Sequence, residues 1–260
     1  MDRRNKKLYI VYFVIGILIL GGGILHIKQK ENVMCLSLGK DAEARKKSTI
    51  NKYKRLFGFF ERGEQGTVHR NITTTIFWIG EGASDDNAHI SNQPSAWDED
   101  WTTHYGGVDD PENRNGYFPA DFIPKENPFY VALPYNDFNE DGKRKNRIRS
   151  LADWYGEKKW GENESVCKNQ WIKITKGDKV VYAQWEDVGP FGEDDISYVF
   201  GDSQPKNKRN NKAGLDVSPA VRDYLGLEDI DKADWQFVDA KDVPDGPWKE
   251  IVTSSQVNWN

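Results

Sequence analysis

The chain has 260 residues, which suffices for one sizeable core with a tethered segment but is a tight fit for two full domains. Only 37% of the residues are hydrophobic, yet 13% are aromatic and ten are tryptophan, so some of the large rings are expected to face a ligand. The net charge is -5, and the excess of basic residues near the N-terminus leaves the remainder more acidic still. An acidic body repels phosphate backbones, which excludes nucleic acid as a partner.

An uncharged apolar stretch runs from Leu8 to Leu25, and at about 1.5 Å per residue it approaches the thickness of a bilayer core. A cleaved signal peptide is the alternative, because the glycines at 21–23 are small enough for a cleavage site. The length favours an uncleaved transmembrane helix. The basic residues before it predict a cytoplasmic tip and anchor over residues 1–30, with the rest of the chain in the periplasm or at the cell surface.

Residues 31–70 are charged and irregular, and they are predicted to form a linker or membrane-proximal segment. The basic and aromatic run from Lys52 to Phe60 fits a linker or short packed helix, which is favoured, or an amphipathic stretch on the membrane surface. Cys35 and Cys167 match no zinc spacing, and they can either pair in an oxidising compartment or both remain free.

Residues 71–260 are predicted to form one mainly β domain. Its first strand is expected from Thr73 to Ile79, where β-forming residues precede Gly80. The following segment, 80–127, is a long loop that contains several aromatic residues, and loops of this length in compact domains are usually functional.

Three further elements are predicted towards the C-terminus. Residues 171–175 and 179–185 flank a short turn and predict a β-hairpin, and residues 235–238 predict a last strand. A short helix is expected between Ser218, which can cap it, and Gly226, which can end it.

Three motifs occur in a fixed order: QWEDVGPF at 184–191, GLDVSPAVRDYLGL at 214–227 and DWQFVD at 234–239. In this order they resemble the double-psi β-barrel shared by the rare lipoprotein A family, the expansins and membrane-bound lytic transglycosylase A. The close resemblance covers about residues 171–239. It implies a mainly β fold: a six-stranded double-psi barrel with one or two short helices and long loop insertions, preceded by the transmembrane helix.

The resemblance also implies a catalytic site for cell-wall polysaccharide. Asp216 matches the family's catalytic acid and Asp187 lies beside it in the glycan groove, while Thr74 or Thr75 matches an early threonine. The chemistry is reasonable in its own right, because cleaving a glycosidic bond needs a carboxylic acid whose pKa is raised by an apolar or anionic neighbour. Each aspartate alone also fits an ordinary turn residue, and it is the two motifs together that favour a function.

The expected activity is binding and non-hydrolytic cleavage of a peptidoglycan-like glycan, of the lytic transglycosylase type and without a cofactor. The residues predicted to bind the glycan are Thr74, Thr75, Trp97, Trp101, Tyr105, Trp185, Phe191 and Ser218. Flat rings suit sugar faces, the resemblance implies the threonines, and Ser218 belongs to the second motif. One alternative is a non-catalytic, expansin-like module that binds carbohydrate or loosens the wall. Another is a scaffold that docks an envelope protein.

Two departures from the family stand out. The segment between the motifs, 192–213, is much longer than in the family and is expected to cover or reshape the groove. Gly189 replaces a tyrosine that expansins carry two residues after the first aspartate, which counts against an expansin-like mode.

No metal site is expected. The segment Asp137 to Gly142 imitates the start of a calcium loop, but Ile148 stands where such a loop needs glutamate, so a plain turn is favoured. His69, His89 and His104 show no metal-ligand spacing, and only His104, which lies among aromatic residues, is considered for ligand contact.

Overall fold

The structure, a computed structural model, describes residues 66–85, 87 and 89–256. They belong to one unit that spans Gln65–Asn260. Within this part of the chain, no helix combines the length and the apolar character that a membrane crossing requires. The predicted span at 8–25, the run from Lys52 to Phe60 and Cys35 lie outside the described residues.

The described residues form eight strands, four short α-helices and four 3₁₀ turns. The strands are β1 (His69–Ile76), β2 (Arg114–Asn115), β3 (Phe118–Pro119), β4 (Tyr130–Leu133), β5 (Gln170–Lys176), β6 (Lys179–Val188), β7 (Leu215–Val217) and β8 (Ile230–Phe237). The α-helices are α1 (Trp101–Tyr105), α2 (Ile148–Leu151), α3 (Ile196–Val199) and α4 (Pro219–Leu225), and the 3₁₀ turns are Asp153–Glu157, Asn210–Lys212, Ala240–Asp242 and Pro247–Lys249.

Six of the strands close into a barrel in the order β1-β7-β4-β6-β5-β8. The pairs β1/β7 and β4/β6 are parallel and the other four are antiparallel. The predicted mainly β domain with a six-stranded barrel and few helices is therefore confirmed at this level. Strands β2 and β3 form a separate small ribbon in the long loop after β1.

The hairpin of β5 and β6 follows from the alternation in its sequence. Ile172 and Ile174 on β5 pair with Ala183 and Val181 on β6, and all four side chains are buried in the barrel. Gly177 has a φ of 60° in the connecting turn, a conformation that glycine adopts without steric cost. The predicted hairpin is confirmed, with both strands longer than expected.

The predicted helix within the second motif is also confirmed, as α4. The Ser218 side chain accepts a hydrogen bond from the Val221 amide, Pro219 occupies the first turn, and Gly226 ends the helix with a φ of 67°. The first strand differs from the prediction, since β1 begins at His69, where the imidazole stacks on Trp235 at 4.0 Å between ring centroids.

Two apolar layers meet across β4, because successive side chains of a strand point to opposite faces. Val131 and Leu133 belong to the large core inside the barrel. Tyr130 and Ala132 belong to a second cluster outside it, formed with Phe77, Ile79, Trp101 and Tyr105. The residues after Ile76 therefore leave the barrel sheet and build an outer layer over one side of the barrel.

Candidate functional site

Four residues lie level with one another on neighbouring strands of the barrel. Thr75 on β1 pairs with Asp216 on β7, Asp216 pairs with Ala132 on β4, and Ala132 pairs with Asp187 on β6. Residues paired in this way face the same side of a sheet, and Ala132 belongs to the outer cluster. The row therefore lies on the outer face, with the two aspartate Cα atoms about 10 Å apart, two strand spacings.

A β-bulge puts Asp187 into this row. Val131 pairs with Trp185, but the next residue of β4, Ala132, pairs with Asp187, so Glu186 is an extra residue in β6. Trp185 points into the barrel core, and without the bulge Asp187 would point the same way. Bulges commonly redirect a side chain next to an active site, and this one brings the second carboxyl to the outer face.

Asp216 is held by Thr75 and remains partly exposed. The Thr75 hydroxyl donates a hydrogen bond to Oδ1 of Asp216, while Oδ2 lies towards Gly189. A Cβ atom at Gly189 would stand 3.3 Å from Oδ2 and 3.5 Å from the Ala132 Cβ. The absence of a side chain at this position keeps the space beside Oδ2 open.

Asp187 is more deeply enclosed, with 7% of its surface exposed. Its Oδ1 accepts a hydrogen bond of 2.7 Å from the Ala96 amide in the long loop after β1. Its carbonyl oxygen accepts a hydrogen bond from Trp185 Nε1 at 2.7 Å. The Asp187 carboxyl is thus fixed in place, and Asp216 is the less buried residue of the two.

Both aspartates hold a proton much more strongly than an ordinary aspartate. Burial raises the pKa of Asp216 from 3.8 to about 7; the charges of Asp187 and Glu81 raise it too, and the Thr75 hydrogen bond opposes them. Burial also raises the pKa of Asp187 to about 7, against the opposing hydrogen bond from the Ala96 amide. Near neutral pH each group can therefore donate or accept a proton.

Of the two threonines considered from the sequence, the structure brings Thr75 to the site. Thr74 is fully buried, and its hydroxyl donates to the Ile72 carbonyl oxygen at 3.2 Å. Ser218 is fully buried as well, where it caps α4 and accepts a hydrogen bond from the Tyr130 amide at 3.3 Å. Neither Thr74 nor Ser218 has surface left for a glycan.

Most aromatic residues predicted to bind the glycan lie in the two cores. Trp97, Trp101, Tyr105 and Trp185 are all 0% exposed, so none of these rings offers a face to a sugar. Trp97 and Trp185 pack edge to face at 5.6 Å, and Trp101 packs against Tyr130. Phe191 is the exception, because it is partly exposed just after Gly189 and Pro190.

Asp195 holds the long segment 192–213 together internally, and Tyr198 connects the segment to the barrel. The Asp195 carboxylate caps α3, accepts a hydrogen bond of 2.6 Å from the Lys206 amide and lies 3.2 Å from the Lys206 ammonium. The Tyr198 hydroxyl donates to the Gly214 carbonyl oxygen at 3.0 Å and accepts from Trp235 Nε1 at 2.7 Å. The segment then returns to the site, where Asn210 Nδ2 donates to the Thr75 hydroxyl at 3.3 Å.

Several residues at the site were not identified from the sequence. Glu81 adds negative charge near Asp216, and burial raises its own pKa against hydrogen bonds from two asparagines. Ala96 and Asn210 make the contacts described above, and Gly189 leaves Oδ2 uncovered. Glu81 is the one with a local signal in the sequence, since it is an acid two residues after the first predicted strand.

The other polar candidates lie in ordinary structural contacts. The Asp137 carboxylate is buried and accepts hydrogen bonds from Ser165 Oγ and the Val166 amide, both at 2.7 Å. His104 pairs with the buried Asp98 at 2.7 Å. Among the described residues there is no group of three or more His, Cys, Asp or Glu side chains arranged to hold a metal ion. Cys167 is fully buried in the barrel core.

Comparison with known proteins adds little to this description. No family model matches the chain. No curated protein matches it either. Among solved structures, the chain is similar to one titled Streptomyces papain inhibitor, with 13% identity, 67% of this chain and 97% of that chain covered, and a TM-score of 0.27. Similarity at that level carries no argument about fold or function.

Proposed function

We propose that this protein cleaves a cell-wall polysaccharide, a peptidoglycan-like glycan, by the lytic transglycosylase reaction, with Asp216 as the general acid. The observation that carries the proposal is the carboxyl of Asp216, a partly buried residue, which Thr75 orients and desolvation keeps protonated up to about pH 7. A general acid works best when its pKa lies near the working pH, and an ordinary aspartate at 3.8 would have lost its proton.

In the proposed reaction the two carboxyl oxygens of Asp216 have different roles. Oδ1 accepts the Thr75 hydrogen bond, so the proton to be transferred is on Oδ2, in the space beside Gly189. It passes to the glycosidic oxygen as the bond from that oxygen to the sugar carbon breaks. A hydroxyl of the same sugar then bonds to that carbon and returns its proton to Asp216. One acid suffices because no water enters the product.

Asp187 has a supporting role in this proposal. Its negative charge raises the pKa of Asp216, and in its ionised form it stabilises the positive charge that develops on the sugar ring. Its near-complete burial and its hydrogen bond from Ala96 suit a carboxyl that stays in place better than a group that must approach the glycan.

We also propose that the barrel is a double-psi barrel and that the domain works outside the cytoplasm, tethered by the predicted helix at 8–25. The two parallel pairs, β1/β7 and β4/β6, and the position of the motifs on β6 and β7 support this topology. The non-catalytic binding module receives less support, because four of its predicted sugar-stacking rings are fully buried.

The test is digestion of purified peptidoglycan by the full-length protein, followed across pH. We expect soluble glycan fragments whose release declines above about pH 7, because Asp216 then loses its proton. Asp216→Asn should lower the rate at least about a hundredfold, the usual contribution of a general acid. Asp178→Asn, in the exposed turn between β5 and β6, is the matched control and should keep full activity.

Two results would overturn the proposal. Binding of the protein to peptidoglycan without any released fragment would indicate the non-catalytic module. Release that Asp216→Asn leaves unchanged would mean that another group donates the proton.

A further inference from the structure

Asn210 lies in the long segment between the two motifs, the part of the chain that departs most from the family it resembles. It is the fifth residue of the sequence KNKRNNK at 206–212. Its side chain contacts Thr75, which lies 135 residues earlier in the chain. Among the contacts of the described residues, this one joins the segment directly to the Thr75 and Asp216 pair.

The turn that carries Asn210 has an unusual backbone. Asn210, Asn211 and Lys212 have φ values of 42°, 53° and 62°, a left-handed backbone conformation that residues other than glycine and asparagine rarely adopt. Three such residues in succession store backbone strain, and strain of this kind is found where the surrounding structure enforces it, often at functional sites.

The surrounding structure here is a set of hydrogen bonds centred on the buried Asn207. Its Nδ2 donates to the Ala213 carbonyl oxygen at 2.9 Å, and its Oδ1 accepts from the Arg209 amide at 2.8 Å. The Ala213 amide donates to the Asn210 carbonyl oxygen at 2.9 Å, and the Gly214 amide donates to Thr73 on β1 at 3.0 Å. The turn is therefore fixed to the strand that carries Thr75.

The hydrogen bond from Asn210 determines where the Thr75 hydroxyl can donate its single proton. A threonine hydroxyl has one hydrogen to donate and lone pairs to accept with. Because Asn210 Nδ2 donates to Thr75 Oγ1, the single hydroxyl proton is directed to Asp216 Oδ1. Oδ1 is thereby occupied as an acceptor, and the acidic proton of Asp216 is left on Oδ2, beside the open space at Gly189.

We propose that Asn210 is a positioning residue, which fixes the Thr75 hydroxyl so that Asp216 presents its acidic proton from Oδ2. This inference rests on the proposed function for its catalytic consequence, but the orientation of the Thr75 hydroxyl can be tested independently. The long segment thus contributes a polar contact to Thr75, the residue that hydrogen-bonds to the reacting acid.

The chain offers a matched pair of variants. Asn210→Gly removes the amide while glycine accepts the left-handed backbone, and Asn211→Gly makes the same change at the neighbouring exposed residue. In the full-length protein we expect Asn210→Gly to lower kcat about three- to tenfold, the typical worth of one hydrogen bond, with KM within about twofold. Asn211→Gly should keep both constants within about twofold of the wild type.

The pH profile separates positioning from a merely structural effect. Thr75 stabilises the ionised form of Asp216, so a freely rotating hydroxyl lets the pKa of Asp216 rise further. In Asn210→Gly the alkaline limb of kcat/KM should therefore move to higher pH, and in Asn211→Gly it should not move. Asn210→Asp, which offers Thr75 an acceptor in place of a donor, should lower kcat at least as much as Asn210→Gly.

A direct titration keeps this inference separate from the proposed function. The carboxyl carbon resonance of Asp216, identified by its loss in Asp216→Asn, reports its pKa whether or not any glycan is cleaved. A higher titration midpoint in Asn210→Gly, with no change in Asn211→Gly, supports the inference even if peptidoglycan is not a substrate. Equal midpoints in the two variants, or equal kcat values on a glycan that the wild type cleaves, would overturn it.

Discussion

The raised pKa of Asp216 predicts that this carboxyl destabilises the fold at neutral and alkaline pH. An acid whose pKa is higher in the folded state binds more protons there, so the free energy of unfolding falls as pH rises between the two pKa values. For Asp216 these values are 3.8 in the unfolded chain and about 7 in the folded protein. Stability should therefore decrease from about pH 4 to about pH 7 because of this residue.

The size of the effect follows from the same two values. The difference of about three pKa units between the folded and unfolded states corresponds to about 4 kcal/mol at most. Partial exposure of Asp216 lowers this value, so the expected range is about 2–4 kcal/mol. Asn in place of Asp216 has nearly the same shape, stays neutral at every pH and can still accept the Thr75 hydrogen bond through its carbonyl oxygen. Asp216→Asn should thus be more stable than the wild type by about 2–4 kcal/mol at about pH 8 and nearly equal to it at about pH 4.

Urea unfolding of the full-length protein, followed by tryptophan fluorescence at both pH values, measures this difference. Asp231→Asn is the contrasting variant, because Lys176 lowers the pKa of Asp231 and that residue stabilises the fold above its unfolded pKa. It should lose stability at about pH 8 and converge with the wild type at low pH. A stability gain for Asp216→Asn that is the same at both pH values, or no gain at all, would refute the reasoning.

Three further predictions concern the neighbours of Asp216. Asp187→Asn removes a negative charge that raises the pKa of Asp216, so the alkaline limb of the pH profile should move to lower pH; an unmoved limb would show that the two carboxyls do not interact. Gly189→Ala places a Cβ 3.3 Å from Asp216 Oδ2 without a left-handed backbone to strain, so kcat should fall about tenfold while circular dichroism stays unchanged; an unchanged kcat would contradict the proposed position of the proton. Asp195→Ala removes the cap of α3 and the contacts to Lys206, so thermal unfolding should show that the free energy of unfolding falls by about 2 kcal/mol. A decrease below about 0.5 kcal/mol would mean that these contacts of Asp195 do not stabilise the fold.

The parts of the fold that could be predicted from the sequence are those with a local signal. The hairpin of β5 and β6 is encoded by alternating apolar residues around Gly177, and α4 by Ser218, Pro219 and Gly226. The order of motifs along the chain indicated a barrel, and the closed ring of six strands agrees with it.

The geometry of the site depends on pairing between distant segments, which no local pattern encodes. The bulge at Glu186 turns Asp187 to the outer face, and the pairing of Thr75 with Asp216 decides between two adjacent threonines. The contact of Asn210 with Thr75 spans 135 residues.

The aromatic residues of the long loop were predicted to face a ligand because the chain is polar on average. The structure instead gives the barrel a second apolar layer, in which Trp101 and Tyr105 pack against Tyr130. A polar average is compatible with this layer because its large rings come from short stretches between charged turns. Whether Trp101 and Tyr105 are buried depends on how the loop 80–127 packs onto the barrel, and here it packs with these rings against Tyr130.

The most direct test of the account is digestion of peptidoglycan by the full-length protein in water enriched in oxygen-18. If Asp216 donates its proton and a hydroxyl of the same sugar closes on the sugar carbon, the new chain ends contain no label, and Asp216→Asn yields no new ends. Hydrolysis would instead put label on the anomeric carbon of each new reducing end, and unlabelled ends formed equally by Asp216→Asn would show that Asp216 is not the acid.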